Sequence, residues 1–263
     1  MKTPITILFV IVFILDLQAQ HFTHDIGAFV GSTSLQSDYG QRDNFASNWN
    51  NNGMTYSVAH YLSFYNRTLR WDPNNVLHNH LMVKTELHYI SNTELLHHGK
   101  WAEKDSEAGL KLRSMKGSLR MLSFGVNLEY FLNPLEEFVY PYSDMYFNPF
   151  LTFGIKYSTY TTGLSSDLGD WQQDINVLPQ KYTLQNALEL GSNQAFSIQL
   201  GFGTRYKLAP KIDLVAQFAY QYFFSDTLDG LQANVIENKN NDWLLNIQFG
   251  LVYHLNFSTP LLY

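Results

Sequence analysis

The chain contains no cysteine. That absence removes disulfides, thiolate metal sites, a cysteine nucleophile and a lipid-bearing amino-terminal cysteine together. Charge is scarce as well: Asp, Glu, Lys and Arg make up 15% of the residues, against about 25% in ordinary water-soluble domains. Lys and Arg form no cluster and the formal net charge is −6, so the basic surface that nucleic-acid binding requires is missing. Beyond the amino-terminal stretch, no segment offers 18 consecutive apolar side chains, which excludes helical membrane spans.

Aromatic rings are abundant instead, with 17 Tyr and 19 Phe in 263 residues. Few charges and many rings point to a non-aqueous neighbour. The first twenty residues, MKTPITILFVIVFILDLQAQ, join Lys2 to an apolar run from Ile5 to Leu15 and a small-residue end at Ala19. The run is too short to span a bilayer and has the layout of a secretory signal peptide, residues 1–20, which directs the remainder out of the cytoplasm. An exported chain without disulfides must be held by its hydrogen-bond ladder and packing.

What recurs along that remainder is a two-residue period, the mark of β-strands with one apolar face. Eight segments carry it. Near 24–33, Ile26, Ala28 and Val30 oppose Asp25, Gly27 and Gly31; within 54–65, Met54, Tyr56, Val58 and Leu62 oppose Thr55, Ser57 and Ala59. Within 78–91, Leu81, Val83, Leu87 and Tyr89 oppose Lys84, Glu86 and His88, the least regular of the set. From 118 onward the pattern sharpens, with Leu122, Phe124, Val126, Leu128 and Tyr130, then Leu151, Phe153, Ile155 and Tyr157. Phe196, Ile198, Leu200 and Phe202 follow, then Ile212, Leu214, Phe218, Tyr220 and Tyr222, and finally the odd-numbered residues of WLLNIQFGLVYHLNF, 243–257.

The links alternate between longer ones (34–53, 92–117, 159–195, 226–241) and shorter ones (66–77, 132–146, 208–211), as in a meander with its long loops at one end. The polar face decides between a soluble sandwich and a membrane barrel. It is rich in Gly (Gly27, Gly31, Gly125, Gly154, Gly201, Gly203, Gly250) rather than in Lys and Glu. Glycine weakens a strand unless space is short, and the lumen of an eight-stranded barrel is short of space. Segments longer than the 9 to 11 residues of a tilted membrane strand project beyond the bilayer. Tyr65, Phe147, Tyr157, Tyr206, Tyr222 and Phe257 near segment ends fit interfacial girdles.

The expected fold is therefore all-β: an eight-stranded antiparallel up-and-down transmembrane β-barrel over residues 21–257, with a tail at 258–263. Lys84, Glu86, Glu129, Lys156, Arg205, Lys207 and Asp213 fall on the polar face and become a lumenal charge network, paired because buried charges must be. At the last short link, pairing Leu208 with Ile212 across Ala209-Pro210-Lys211 sets Lys207 opposite Asp213.

The stretches LQSDYGQRDNF (35–45), HHGKW (97–101), GFGTRYKL (201–208), YQYFFSDTLDGL (220–231) and NKNNDWL (238–244) carry a resemblance. Over about residues 21–257 the chain resembles the small outer-membrane β-barrel proteins of Bacteroidota, of a flavobacterial type. The resemblance implies a barrel in the outer membrane and transfers no catalytic or binding residue. The closing strand also looks like the carboxy-terminal signal read by the barrel-assembly machinery, through Gln248, Gly250, Tyr253, Leu255 and Phe257, although residues 258–263 follow it.

Other chemistry is sparse. His78 and His80 would share one face of a strand without a third metal ligand. His97-His98 reads as a solvated loop pair, and His24 and His254 fall on different faces. His60 and Ser63 are three residues apart and on opposite faces, so they form no nucleophile and base pair. Asp167, Asp170, Asp174 and Glu189 lack EF-hand spacing. The loop 92–117 mixes Lys100, Lys104, Lys111, Arg113 and Lys116 with Glu103, Asp105 and Glu107 above the outer leaflet.

No cofactor or metal is expected, and no enzyme. The expected partners are outer-membrane lipid and lipopolysaccharide, the barrel-assembly machinery, and envelope proteins reached through the long loops. The leading reading is a non-enzymatic barrel with a plugged polar lumen and a structural or docking role. A narrow pore or small-molecule or lipid transporter comes second, then a lipid-modifying enzyme. A secreted sandwich or lipocalin-like binder is the soluble alternative.

Overall fold

The computed structural model describes residues 23–40, 45–64, 76–139, 143–233 and 241–255. The signal peptide expected at 1–20, Tyr65, Phe257 and the tail expected at 258–263 lie outside the described residues. Eight strands pair antiparallel in sequence order and close on themselves. They are β1 (Thr23–Gln36), β2 (Asn52–Ser63), β3 (Leu81–Leu96), β4 (Met115–Phe131), β5 (Phe147–Ser166), β6 (Gly191–Ala209), β7 (Ile212–Phe223) and β8 (Trp243–Leu255). Closure comes from β8 pairing with β1, where Ala28 faces Leu251 and Phe29 faces Gly250.

Alternation accounts for the strands. Exposed side chains on the outer wall include Val58, Phe124, Phe153, Ile155, Phe196, Phe202 and Leu251, while their even or odd counterparts are buried inside. A belt of this breadth on the outside of a closed sheet needs an apolar solvent, since a monomeric soluble barrel would expose it all to water. Tyr222 packs edge-on against Phe224, Tyr220 against Trp243, and Phe147 against Tyr206, so rings gather where strands leave the belt.

Toward the end that bears the long loops, the pattern inverts. In β4, Met115, Leu119 and Met121 point inward while Lys116, Ser118 and Arg120 point outward. In β5, Tyr160 is buried between exposed Thr159 and Thr161. Apolar-in and polar-out is the pattern of a strand standing in water. The sheet thus emerges from the bilayer without ending, and β3 runs to Leu96 through an irregularity between Ile90 and Thr93.

Three local expectations change. His78 and His80 lie on a short helix, α1 (Val76–His80), rather than on a strand, and His80 Nδ1 sits 2.7 Å from the Phe131 carbonyl. In the β6–β7 hairpin Lys207 does face Asp213, but Ala209 pairs with Ile212. Leu208 is bulged out, so the turn is Pro210-Lys211. His97 is buried and not solvated, because it is packed under the loops.

Candidate functional site

The lumen is the first part of the site. Every strand contributes polar side chains to it, and they are buried. Lys84 Nζ lies 2.8 Å from Glu86 Oε2, and Lys156 Nζ lies 3.4 Å from Glu86 Oε1. Lys84 also donates to Gln217 Oε1 (3.1 Å), whose amide donates to Gln248 Oε1 (2.5 Å). Gln248 in turn donates to Thr55 and Ser57, and Gln199 to Asn127, which reaches Glu86. The web joins opposite walls of the barrel.

Nearer the periplasmic end, Arg205 is enclosed by carboxylates. Its guanidinium lies 3.3 Å from Asp25, 3.5 Å from Glu129 and 3.9 Å from Asp213, with the rings of Tyr61 and Phe131 stacked beside it. His254 bridges two of the same acids, Nδ1 to Asp25 at 2.9 Å and Nε2 to Asp213 at 3.0 Å. A doubly protonated ring satisfies both contacts. The structure brings Lys84, Glu86 and Lys156 together, and Glu129, Arg205 and Asp213 together. It adds Asp25 and His254, whose polar parity was visible in the sequence. Lys207, half-buried, faces Asp213 across the β6–β7 ladder and also lies over the Phe138 ring of α3 (Leu135–Val139).

Glycines make room for this filling. A Cβ at Gly250 would collide with the Phe29 ring and the Ala28 carbonyl, and one at Gly203 with Phe150 and the Ala216 carbonyl. In each pair the ring covers the glycine directly opposite it across the strands. Phe29, Tyr61, Met82, Phe131, Leu135, Phe150, Val215 and Val252 form an apolar floor at the periplasmic end.

The second part is the cap. Inward apolar residues of the emergent strands (Leu35, Ile90, Leu119, Met121, Tyr160, Phe223, Leu244) form one core with loop residues Leu178, Tyr182, Ala187, Leu228 and Leu231. His97 is wedged between Tyr39 (ring centroids 4.4 Å) and Tyr182 (6.1 Å). Burial, reinforced by the Lys181 charge, pushes the His97 pKa down to about 3, which leaves a neutral ring. Helix α2 (Glu107–Ser114) is capped by Ser106, which accepts from Gly109 N, and Arg113 donates to the carbonyls of Ala102 and Lys104. Loop to loop, Glu189 N donates to Gly230 O and Gln232 N to Ala187 O.

Carboxylates pin the same seam. Asp229 accepts from Asp38 N and Leu231 N at 2.9 Å each, and Asp242 accepts from Leu228 N at 2.8 Å. Burial pushes the Asp229 carboxyl up to about 7 and raises Asp242 well above the usual carboxylate range, helped by the neighbouring acids. Asp167, Asp170, Asp174 and Glu189 serve local roles: Asp167 pairs with Lys116, Asp170 and Asp174 close turns, and Glu189 accepts from Asn193. Among the described residues, no group of three or more His, Asp or Glu side chains is arranged to hold a metal ion. His60 is exposed and Ser63 buried. His60 instead meets His24 on the outer wall, ring nitrogens 3.0 Å apart.

A closed eight-stranded sheet, belted in apolar side chains outside and filled with paired charges inside, defines a transmembrane β-barrel of the bacterial outer membrane. No protein-family model matches the chain, and no curated protein does. Solved structures do. Neisserial surface protein A matches at TM-score 0.46 and 12% identity, over 88% of this chain and 96% of that one. A major outer membrane protein from Thermus thermophilus matches at TM-score 0.49 and 14% identity, over 89% and 99%. Ail, the attachment invasion locus protein of Yersinia pestis, in complex with a heparin analogue, matches at 0.41 and 14%, over 90% and 100%. At these identities the likeness extends to the barrel and no further.

Proposed function

We propose that the protein is a non-enzymatic outer-membrane barrel whose lumen is a permanent plug and whose folded cap docks other envelope proteins. The observation that carries this reading is the pairing of a filled lumen with a cap that has a core of its own. A loop set built only to close a barrel has no need of a packed core. A rigid cap lets exposed apolar side chains serve as anchors at little entropic cost. Trp49 (52%), Trp101 (53%), Ile175 (43%) and Leu184 (60%) are such side chains, and Lys104 covers the Trp101 ring at 3.7 Å.

The Bacteroidota affiliation belongs to the same proposal and rests on the sequence stretches alone. The absence of catalysis belongs to it as well. It is supported by the separation of His60 from Ser63 onto opposite sides of the wall. Photo-crosslinking residues placed at Trp101 and Leu184 test the docking role in intact cells, with Leu132 at the other end as control. Protein adducts from the cap positions are expected. Adducts from Leu132 alone would overturn it.

A further inference from the structure

One charged side chain stands on the lipid-facing wall at the edge of the apolar belt. Arg120 projects outward from β4, one outward position beyond Leu122. At that height the neighbouring strands change character together. Tyr89, Leu122, Tyr157 and Phe196 end the apolar belt on β3 to β6, and Thr159, Thr161, Ser192 and Gln194 follow on the same outer face. Register joins them in rows: Arg120 faces Thr161, which faces Ser192; Leu122 faces Thr159, which faces Gln194. Between them runs a groove of about 560 Å³ with Tyr89 at one side.

Charge and hydrogen bonding define what the groove would take. Among the described residues no carboxylate lies within ion-pair distance of Arg120. Glu94 faces Ser118 one row nearer the loops, and Lys116 is engaged with Asp167 at 2.9 Å. Thr161 and Ser192 hydroxyls are 3.2 Å apart, and the Tyr157 hydroxyl donates to Gln194 Oε1, which turns the Gln194 amide nitrogen free to donate elsewhere. A guanidinium fork beside hydroxyl and amide donors matches a phosphate and the polar groups around it. The height selects the source. A group at the boundary between acyl chains and water meets lipid headgroups, and there an outward arginine carries little of the cost it has at mid-bilayer.

We propose that the Arg120 groove is a binding site for the phosphate headgroup of an outer-leaflet lipid, with Arg120 as its anionic anchor. The site rests on the outer-membrane placement and not on the docking role of the cap, so either can fail alone. The long-loop end is the outer face, so the lipid that meets the groove belongs to the outer leaflet. Thr159, Thr161, Ser192 and Gln194 would then meet the sugar and phosphate oxygens, while the acyl chains follow the wall below Leu122 and Phe196.

The test uses the full chain in dodecyl maltoside, titrated with diphosphorylated lipid A and read by native mass spectrometry. R120Q is expected to weaken binding about tenfold or more, as loss of a charge-assisted contact does, with R120K intermediate. K211Q, which removes an exposed cation at the opposite end, leaves binding unchanged. The same lipid stripped of its phosphates should bind the wild type as weakly as the intact lipid binds R120Q. Binding by R120Q within twofold of wild type overturns the proposal, as does equal binding of the dephosphorylated lipid. Displacement of lipid by inorganic phosphate alone at matched concentration overturns it too, because it assigns the groove to a free anion. Heat-modifiable gel migration confirms that each variant is folded.

Discussion

Arg205 concentrates the electrostatics of the lumen. Three carboxylates converge on one guanidinium, and His254 closes the ring from the far side of Asp25 and Asp213. Removing one partner of a buried charge set costs more than the set contributes, because the remaining charges stay buried without compensation. Arg205→Met is therefore expected to destabilise the barrel by about 3 to 5 kcal/mol, measured by urea unfolding from lipid vesicles. A loss below about 1 kcal/mol would mean that water, and not Arg205, neutralises those acids. The residues of this cluster were partly legible in advance. Period two places Glu129, Arg205 and Asp213 on the inner face, but which strands they bridge depends on closure, and that is a property of the whole sheet.

At the scale of the elements, β4 and β5 are each two strands in series. The membrane part is apolar outside and the emergent part apolar inside, and the changeover in β4 falls between Arg120 and Leu122. On the outer wall of β8, Leu251 is exposed and flanked by Ala28 and Leu214. Leu251→Arg should cost about 2 to 4 kcal/mol if the side chain lies near mid-bilayer, whereas the same change in the cap should cost little; unfolding from vesicles reads both.

The inversion explains what the sequence hid. A search for one apolar face stops at Tyr89 and restarts at 118, since Ile90, Met115 and Leu119 lie on the opposite parity of their strands and Leu95 turns inward only through the irregularity between Ile90 and Thr93. Leu35, then Leu95 and Met115, then Tyr160 fall for that reason in the links expected at 34–53, 92–117 and 159–195. The cap was written in the loops as Leu178, Tyr182, Ala187, Leu228 and Leu231, but such scattered residues have no period and meet only in three dimensions.

The cap also carries a pH dependence. Asp229 and Asp242 hold protons in the folded cap that an unfolded chain would release near pH 4. Their folded pKa lies above the unfolded one, so protonation stabilises the cap at low pH. That stabilisation fades as pH rises from about 4 through the Asp229 value of about 7. Amide-exchange protection factors of residues 224–233 should fall between pH 5 and pH 8, and Asp229→Asn should flatten the fall. Equal protection at both pH values in the wild type would contradict the assignment.

As a whole molecule the barrel is closed twice. An apolar floor seals the periplasmic end, ion pairs and amides fill the middle, and the cap core seats in the outer mouth. A conduction path would have to break buried ion pairs and open the packed cap at once, at several kcal/mol each. In the proposed function the working surface is the outside: the wall that meets lipid, with Arg120 at its upper edge, and the exposed face of the cap. The most direct measurement of this account is single-channel recording of the purified full chain in a planar bilayer at neutral pH. No steady current above the bare-membrane baseline is the predicted result, and stable, voltage-independent open steps from the wild type would contradict it.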